Sequence, residues 1–489
     1  MTQTATRYET VIGVEVHAQL LTQSKMFCSC SQPTLESPPN THVDPVCLGM
    51  PGVMPVINRV AVELTIMTGL ALNCEIAHEA KFDRKNYHYP DLMKGYQISE
   101  YDMPICVNGW LEIDLDGETK RIGITRVHLE EDTARLQHAT DSATGEKYSL
   151  VDVNRSGVPL MEVVSEPDIR SAEEARAYLQ VLRQILRYIG ASRANMEEGN
   201  MRCEPNVSIR EPGAEFGQKV ELKNINSFKH AFDAIKFEER RQAKVLNSGG
   251  AIAQETRGWR EDIGEAVSQR TKEGAEDYRY FPEPDLPPLV ISREWVEEIR
   301  ARMPELPDAK RARFEEQYGL SEYDARVLAE SPARADFFEA AAVGGSAERA
   351  KTVSNWVTGD LARLLNAENM EIQDARVTPE AVAALIGLQE AGTISGKTAK
   401  AVFEEMFASG KAPGEVVKEQ GLEQITSSDE VVTSVEKVIA DNAKAVEDYR
   451  GGKEEAIKFL VGQVMRETRG RAGPDVVTEL LKEKLADRP

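Results

Sequence analysis

The stretch YFPEPDLPPL, residues 280–289, constrains this chain more than any other, because its four prolines neither continue a helix nor suit the centre of a sheet. The sequence changes texture across it. Up to about Leu289, short runs alternate apolar and polar residues with a period of two and are separated by turns. Beyond it nearly every segment has helical periodicity, as in SEYDARVLAE, TPEAVAALIGLQEAG and GPDVVTELLKEKL. We read an α+β class: an N-terminal domain of antiparallel sheets and helices, then all-helical domains. The proline-rich stretch is expected to be a stiff extended hinge. A second division is expected near Gly410 to Pro413, giving domains over residues 1–290, 291–410 and 411–489, in line with the roughly three domains that such a length suggests. No repeat and no low-complexity segment is evident.

Two helices stand out before the prolines. SAEEARAYLQVLRQILRYIG opens on a capping box of Ser171 and Glu174, carries Val181, Leu182, Ile185, Leu186 and Ile189 on one face, and stops at Gly190. A second runs from about Ser227 to Leu246 and ends at the following SGG.

The chain carries a net charge of −22, which argues against a nucleic-acid partner only weakly, because a local basic face suffices for binding. Arg450 to Ala472 is such a window, with six Lys/Arg against three Asp/Glu. No run of 18 apolar residues exists, so no membrane span is expected. The start, MTQTATRYET, lacks the basic and apolar regions of a signal peptide. Six cysteines in 489 residues suit a reducing compartment, and a cytoplasmic location is expected.

The chemistry is concentrated on alternating strands. In ETVIGVEVHAQL, Ile12, Val14, Val16, Ala18 and Leu20 face one way, while Glu15, His17 and Gln19 face the other. ITRVHLEED sets Arg126, His128 and Glu130 opposite Val127 and Leu129. SLVDVNRSG sets Asp152 and Asn154 against Val151 and Val153, with Arg155 following. RCEPNVSIR sets Arg202, Glu204, Asn206 and Ser208 against Cys203, Val207 and Ile209. An antiparallel sheet with one wet face explains any single strand. The residue choice says more, since a merely solvated face carries Thr, Lys and Ser rather than Glu, His, Asp, Asn and Arg. If these strands are neighbours, carboxylates and an imidazole converge where a hard divalent ion such as Mg²⁺ binds together with a phosphate. Arginine and lysine then clamp the phosphate, as phosphoryl transfer requires.

Two further segments invite a site. AGTISGKT, residues 391–398, fits a relaxed P-loop pattern with Ala391 in place of the first glycine. A true P-loop follows a buried strand. This one follows an amphipathic helix capped by Thr378, so a helix–turn–helix link is expected. In KMFCSCSQPTLESPPNTHVDPVC, residues 25–47, Cys28, Cys30 and Cys47 resemble a zinc knuckle in which Asp44 stands where a fourth cysteine belongs. Aspartate ligates zinc through oxygen, and His42 is a nearby substitute, but loss of a thiolate weakens soft-ligand binding. The stretch is either a structural Zn²⁺ clip with an unusual ligand or a site that has lost one.

LVDVNRSGVPLMEVVSEPDIRS (residues 150–171) resembles the signature of the B subunit of the bacterial tRNA-dependent amidotransferase, the GatB family. GVEVHAQL, KFDRKNYHYPDLMKGYQISEYD, HLEED, ELKNINSF, DYRYFPEPDLPPL, GTISGKTAK and FLVGQVMRETRGRA extend the resemblance over nearly the whole chain. The resemblance implies a cradle-shaped α+β domain, a helical domain and a helical tail that holds tRNA. It implies two partners in the amidotransferase, an amidase (the A subunit) and a small protein (the C subunit). The substrates it implies are Glu-tRNA(Gln) and/or Asp-tRNA(Asn). ATP and Mg²⁺ would serve to phosphorylate the side-chain carboxylate before ammonia displaces the phosphate.

Carried over by position, Glu15, His17 and Glu130 look like Mg²⁺ ligands. Asp152, Asn154, Arg155, Arg202, Glu204, Lys223 and Asn224 fit as pocket residues for ATP phosphates or the aminoacyl end. Glu131 points away from Glu130 in an ideal strand, and Glu162 is either structural or lines an ammonia route. After HLEED the family commonly continues Ala-Gly-Lys where this chain reads Thr133, Ala134, Arg135, so Arg135 is given no catalytic role. A rival reading is a non-catalytic tRNA-binding scaffold, although a carboxylate-rich face repels phosphates unless a metal intervenes. A self-contained amide ligase would need its own ammonia source, and no amidase constellation is evident.

Overall fold

The structure, a computed structural model, describes residues 8–34, 36–115, 117–271, 278–422, 428–468 and 472–486. The N-terminal residues 1–7, Asp277 of the DYRYFPEP motif, and Arg469 and Arg471 of the basic window lie outside them. The chain divides into two compact units, Met1–Leu306 and Pro307–Pro489.

The strands of the first unit are β1 (Glu9–Gln19), β2 (Glu75–Ile76), β3 (Glu79–Ala80), β4 (Phe82–Asn86), β5 (Tyr96–Glu100), β6 (Cys106–Leu115), β7 (Glu118–Glu131) and β8 (Arg135–Thr140). They continue as β9 (Lys147–Asp152), β10 (Pro159–Ser165), β11 (Met201–Arg210), β12 (Val220–Lys223), β13 (Glu255–Arg260), β14 (Glu265–Thr271), β15 (Phe281–Pro282) and β16 (Leu289–Val290). Twelve form one sheet with the order β14-β13-β12-β11-β1-β10-β7-β5-β4-β15, while β6 also pairs with β7 and β2 with β6. All its pairings are antiparallel except β12 with β13.

The period-two pattern explains the layering. On β1, Ile12, Val14, Val16 and Ala18 are buried in one apolar core with Val127 and Leu129 of β7, Met161 and Val163 of β10, and Cys203 and Val207 of β11. Three helices, α1 (Arg59–Ala71), α2 (Ala172–Tyr188) and α3 (Phe228–Asn247), supply Ile66, Leu182 and Ile235 to that same core. The capping box at α2 is half as expected. Ser171 Oγ accepts from Glu174 N at 3.1 Å, but the Glu174 carboxylate accepts from Arg170 N instead of from the cap residue. Gly190 ends the helix at φ +67, a left-handed conformation that glycine adopts without a Cβ clash.

The proline-rich stretch is not a free hinge. Phe281 and Pro282 pair with Arg84 and Asp83 at an edge of the large sheet, where a missing N–H is tolerated. Buried Glu283 accepts from Arg84 Nε at 2.6 Å and Nη2 at 2.8 Å. Leu289 and Val290 pair with β3. The helix that follows, α4 (Arg293–Ala301), packs on this unit too, with Ile299 fully buried in its core and Trp295 Nε1 donating to Glu63.

In the second unit every regular element among the described residues is helical, from Pro307–Tyr318 to Pro474–Ala486. Two apolar clusters form there, one from Phe314 to Val417 and one from Val431 to Leu485. Val416 and Val417 belong to the earlier cluster, so the two cores part beyond Gly410–Pro413. AGTISGKT is the link between helices Pro379–Glu390 and Gly396–Ser409, whose caps are Thr378 and Ser395. No helix of the described residues is long and apolar enough to cross a membrane.

Candidate functional site

The strands β11, β1, β10 and β7 lie side by side at the middle of the sheet. Their register puts Glu15 across from Glu204, His17 across from Arg202 and Glu162, and Glu162 across from His128. Cross-strand partners have Cβ atoms about 5 Å apart, so the polar positions merge into one patch. His17 Nε2 lies 3.5 Å from Glu162 Oε2 and 3.6 Å from Glu130 Oε1. His128 Nε2 lies 3.2 Å from the same Glu162 oxygen. Arg126 Nε donates to His128 Nδ1 at 3.3 Å, which leaves Nε2 to carry the proton toward Glu162. Glu130, Glu162 and His128 are all buried.

Burial disfavours a charged His17, but Glu162, then Glu130 and Glu204, outweigh it and raise the imidazole to about 10. The same contacts act in reverse on Glu162: burial opposes its charge, and His128 and His17 nonetheless hold it well below the usual carboxylate range. Carboxylates and imidazole thus sit as a preformed charged cluster. Once His17 gives up its proton, its ring nitrogen and the buried carboxylates of Glu130 and Glu162 form an oxygen-rich donor set that suits a hard divalent cation.

Glu15 belongs elsewhere on the same face. Its carboxylate groups with Glu204 and Glu221, whereas His17 and Glu130 group with Glu162. Lys223, at the end of β12, reaches into Glu15's group with Nζ 2.8 Å from Glu204 Oε2 and 3.5 Å from Glu221 Oε1. Asn224 follows in the left-handed conformation at φ +61, and it is exposed.

The SLVDVNRSG strand is not a neighbour of the others. Among the described residues β9 pairs only with β8, and Val153–Arg155 is a short 3-10 turn capped by the Asp152 side chain. Asp152 and Asn154 instead anchor the cysteine-bearing loop: Asp152 Oδ1 accepts from Asn40 N, and Asn154 Oδ1 accepts from His42 N. Arg155 donates to the carbonyls of Thr133 and Ala134 and lies 3.5 Å from Asp132. Asp132 is the link to the patch, because its Oδ2 also accepts from Gln19 at 2.8 Å and from Arg202 at 3.1 Å. Although it is buried, the two guanidiniums keep the Asp132 carboxyl below its ordinary range. Glu131 is turned away from Glu130, as an ideal strand dictates, and its carboxylate pairs with Lys94 and accepts from Ile98 N.

Cys28, Cys30, Asp44 and Cys47 bring their ligand atoms within 4.8 Å of one another. His42 stays outside this group, facing Ser31. Asp44 Oδ1 accepts from Val46 N and Cys47 N. A hydrogen bond from Cys28, against the effect of burial, lowers the Cys47 thiol from its ordinary value. Three cysteine sulfurs and a carboxylate are the donor chemistry of a structural zinc clip.

Strand alternation does not single out Glu162, Glu221 or Lys85. Glu162 sits in PLMEVVS, whose strand is buried at every position but Val164, so no alternation marks its face. Lys85 on β4 has its Nζ 5.0 Å from the Tyr278 ring. Burial disfavours its charge, but Glu130, Tyr280 and Glu162 keep it protonated.

Comparison with known proteins finds relatives over nearly the whole chain. Residues 10–297 match the family described as the GatB/GatE catalytic domain, and residues 336–485 the family described as the GatB domain. The chain is 57% identical over 480 residues to the B subunit of the aspartyl/glutamyl-tRNA(Asn/Gln) amidotransferase of Carboxydothermus hydrogenoformans, covering 98% of this chain and 99% of that protein. It is 54% identical over 491 residues to the protein of the same description from Dehalococcoides mccartyi, covering 99% and 100%. The counterpart from Thermoanaerobacter pseudethanolicus is 52% identical over 481 residues, covering 98% and 100%.

Proposed function

The chain belongs to the family of aspartyl/glutamyl-tRNA(Asn/Gln) amidotransferase B subunits, ligase subunits of translation-related transamidation, and on that premise we propose that its polar sheet face activates the side-chain carboxylate of Glu-tRNA(Gln), Asp-tRNA(Asn) or both. Ammonia does not displace oxide from a carboxylate, so the oxygen must first become a leaving group. ATP is the phosphoryl donor, and phosphate leaves when ammonia attacks the acyl carbon. Ammonia comes from glutamine on the amidase, the A subunit, while the complex is completed by the small C subunit. The convergence of His17, Glu130 and Glu162 from three neighbouring strands carries this reading.

These three residues would hold Mg²⁺, which when bound offsets charge on the phosphates during transfer. The chain's own part is positioning. Arg202, steadied by Asp132, and Lys223 present fixed cations to phosphate oxygens. Lys85 supplies a further cation across the cluster. His128 orients Glu162, so that the carboxylate does not reorganise when substrate arrives. The turn at Asp152, Asn154 and Arg155 acts on the pocket indirectly, by fixing the loop that carries Cys28, Cys30, Asp44 and Cys47. We assign that loop a structural Zn²⁺ rather than a reacting one. The helical tail beyond Leu422 is the tRNA-holding part.

The test is to reconstitute the complex and assay each misacylated tRNA with ATP and glutamine. Glu130→Gln should abolish ATP-dependent amidation and leave glutamine hydrolysis by the partner in place. Transamidation at the parental rate would remove Glu130 from the reaction.

A further inference from the structure

Two stretches singled out in the sequence have no part in the arrangement above, ISEYD (residues 98–102) and YRYF (residues 278–281). The fold brings their aromatic side chains together. The Tyr101 and Tyr280 rings stack face to face, with centroids 4.1 Å apart and planes within 6° of parallel. Tyr278 meets Tyr280 edge-on at 6.0 Å, and Tyr87 meets Tyr278 in the same way at 6.0 Å. Four tyrosines thus gather at one place in a chain that is only 6% aromatic. Tyr101 stays 45% exposed although Tyr280 covers one of its faces.

The group borders the reacting cluster. Ser99, two residues before Tyr101 and so about 7 Å along the chain, is in register with Glu130, and its Oγ lies 3.4 Å from Glu130 Oε2. Burial pushes the Tyr280 hydroxyl up to about 12, against Lys85 and with help from Glu130 and Glu162, so this ring lies within the field of the cluster. Between Tyr278 and Tyr280, Arg279 adopts a left-handed backbone conformation at φ +46, which is costly for a residue with a side chain. Asn86 holds it there, Nδ2 donating to the carbonyl oxygens of Arg279 at 2.9 Å and Tyr278 at 3.4 Å. Arg279 is exposed.

Flat rings with a cation beside them hold an unpaired base by its face and its phosphate by charge. A small nucleotide is normally enclosed on most sides, whereas the outer ring of this stack lies open at the surface, which suits the end of a strand that is held elsewhere. We propose that Tyr101 and Tyr280 are the stacking seat of the 3′-terminal adenine of the misacylated tRNA, with Arg279 taking its phosphate. The base continues the column on Tyr101, and the amino acid esterified to its ribose extends past Ser99 toward Glu130. This assignment rests on the substrate reading given above and adds the place where the acceptor end sits.

The experiment uses the reconstituted complex and misacylated tRNA whose terminal adenine is replaced by 2-aminopurine, a base that loses fluorescence when it stacks on an aromatic ring. The signal should drop on binding to wild type and stay high with Tyr101→Ala, while Tyr101→Phe, which keeps the flat ring, should restore the drop. The Kd for misacylated tRNA should rise about tenfold in Tyr101→Ala, within the usual worth of one stacked base, with ATP binding unchanged and a thermal melt as the folding control. Arg279→Gln should lower the salt slope of tRNA binding by about one. A signal that drops equally in wild type and Tyr101→Ala overturns the proposal. So does a Tyr101→Ala variant that loses affinity for ATP and keeps it for tRNA, an outcome that gives the stack to the adenine of ATP. Amidation by wild type without any drop in signal removes the seat and leaves the reaction standing. A drop that Tyr101→Ala abolishes, in a complex that never amidates the tRNA, leaves the seat standing and removes the reaction.

Discussion

The two units treat charge in opposite ways. In the first, Asp83, Glu100, His128, Glu130, Glu131, Asp132, Glu162, Glu221, Glu238 and Glu283 are buried. Among the described residues of the second, the buried polar side chains are Lys310, Ser354 and Thr468. Lys310 is satisfied by Asp336 and Glu339 at the surface. Helices bury an apolar stripe and leave their charges in water, so a helical unit gains nothing from an interior carboxylate. A buried cluster of carboxylates costs stability unless cations answer it. The cluster lies in the part of the chain that matches the family described as a catalytic domain, and on the function proposed above the difference separates a reacting unit from one that holds tRNA.

The sharpest way to break the comparison is Glu162→Gln. It keeps the shape of the side chain and removes the charge that His17 and His128 share. ATP hydrolysis dependent on misacylated tRNA should fall by a factor on the order of 10²–10³, the usual effect of losing one preorganised electrostatic partner, while the melt stays cooperative with a lowered midpoint because His17 and His128 lose their buried counter-charge. Next, removal of the residues after Leu422 deletes the Val431–Leu485 core as a unit. Filter binding should show tRNA affinity falling roughly tenfold or more, with a shallower salt dependence, while ATP binding stays the same. Equal losses of both would erase the division of labour.

Asp132→Ala comes third. It removes the buried counter-charge of Arg155 and Arg202, and denaturant unfolding should show a loss of about 3 kcal/mol, as for other broken buried pairs. Because the Asp132 carboxyl lies lower in the folded chain than when free, its contribution is present above the unfolded value. It disappears as pH falls through the folded one, so the gap between wild type and variant should narrow in acid. The smallest effect belongs to the helical unit. Lys310→Met should change stability by no more than about 1 kcal/mol, since apolar replacement of a buried pair is near neutral, and should leave activation untouched.

The change of periodicity at YFPEPDLPPL separates sheet from helix correctly, because period and secondary structure are both local. The same prolines suggest an extended hinge, whereas residues 281–282 pair with β4 at the sheet edge, a partner nearly 200 residues earlier in the chain that no local pattern reveals. That β1, β7 and β11 share one stretch of sheet, with β10 between β1 and β7, is legible only as a condition, since alternation says which way a side chain points and not what lies beside it. For the same reason SLVDVNRSG looks like a fourth member of the face, although β9 forms a separate ribbon with β8. The Mg²⁺ ligand set drawn from Glu15, His17 and Glu130 divides into two groups in space. Glu162, which completes one of them, lies in an apolar run with no alternation to expose it.

β10 is flanked by β1 and β7 and buried at all but one position. A strand so enclosed has no edge from which to peel, so its amides exchange hydrogen only when the whole unit opens. Glu162 therefore has no separate thermal life. On slow heating, activation and the far-ultraviolet signal of the sheet should fail at the same temperature, and no partly melted, inactive state should precede unfolding.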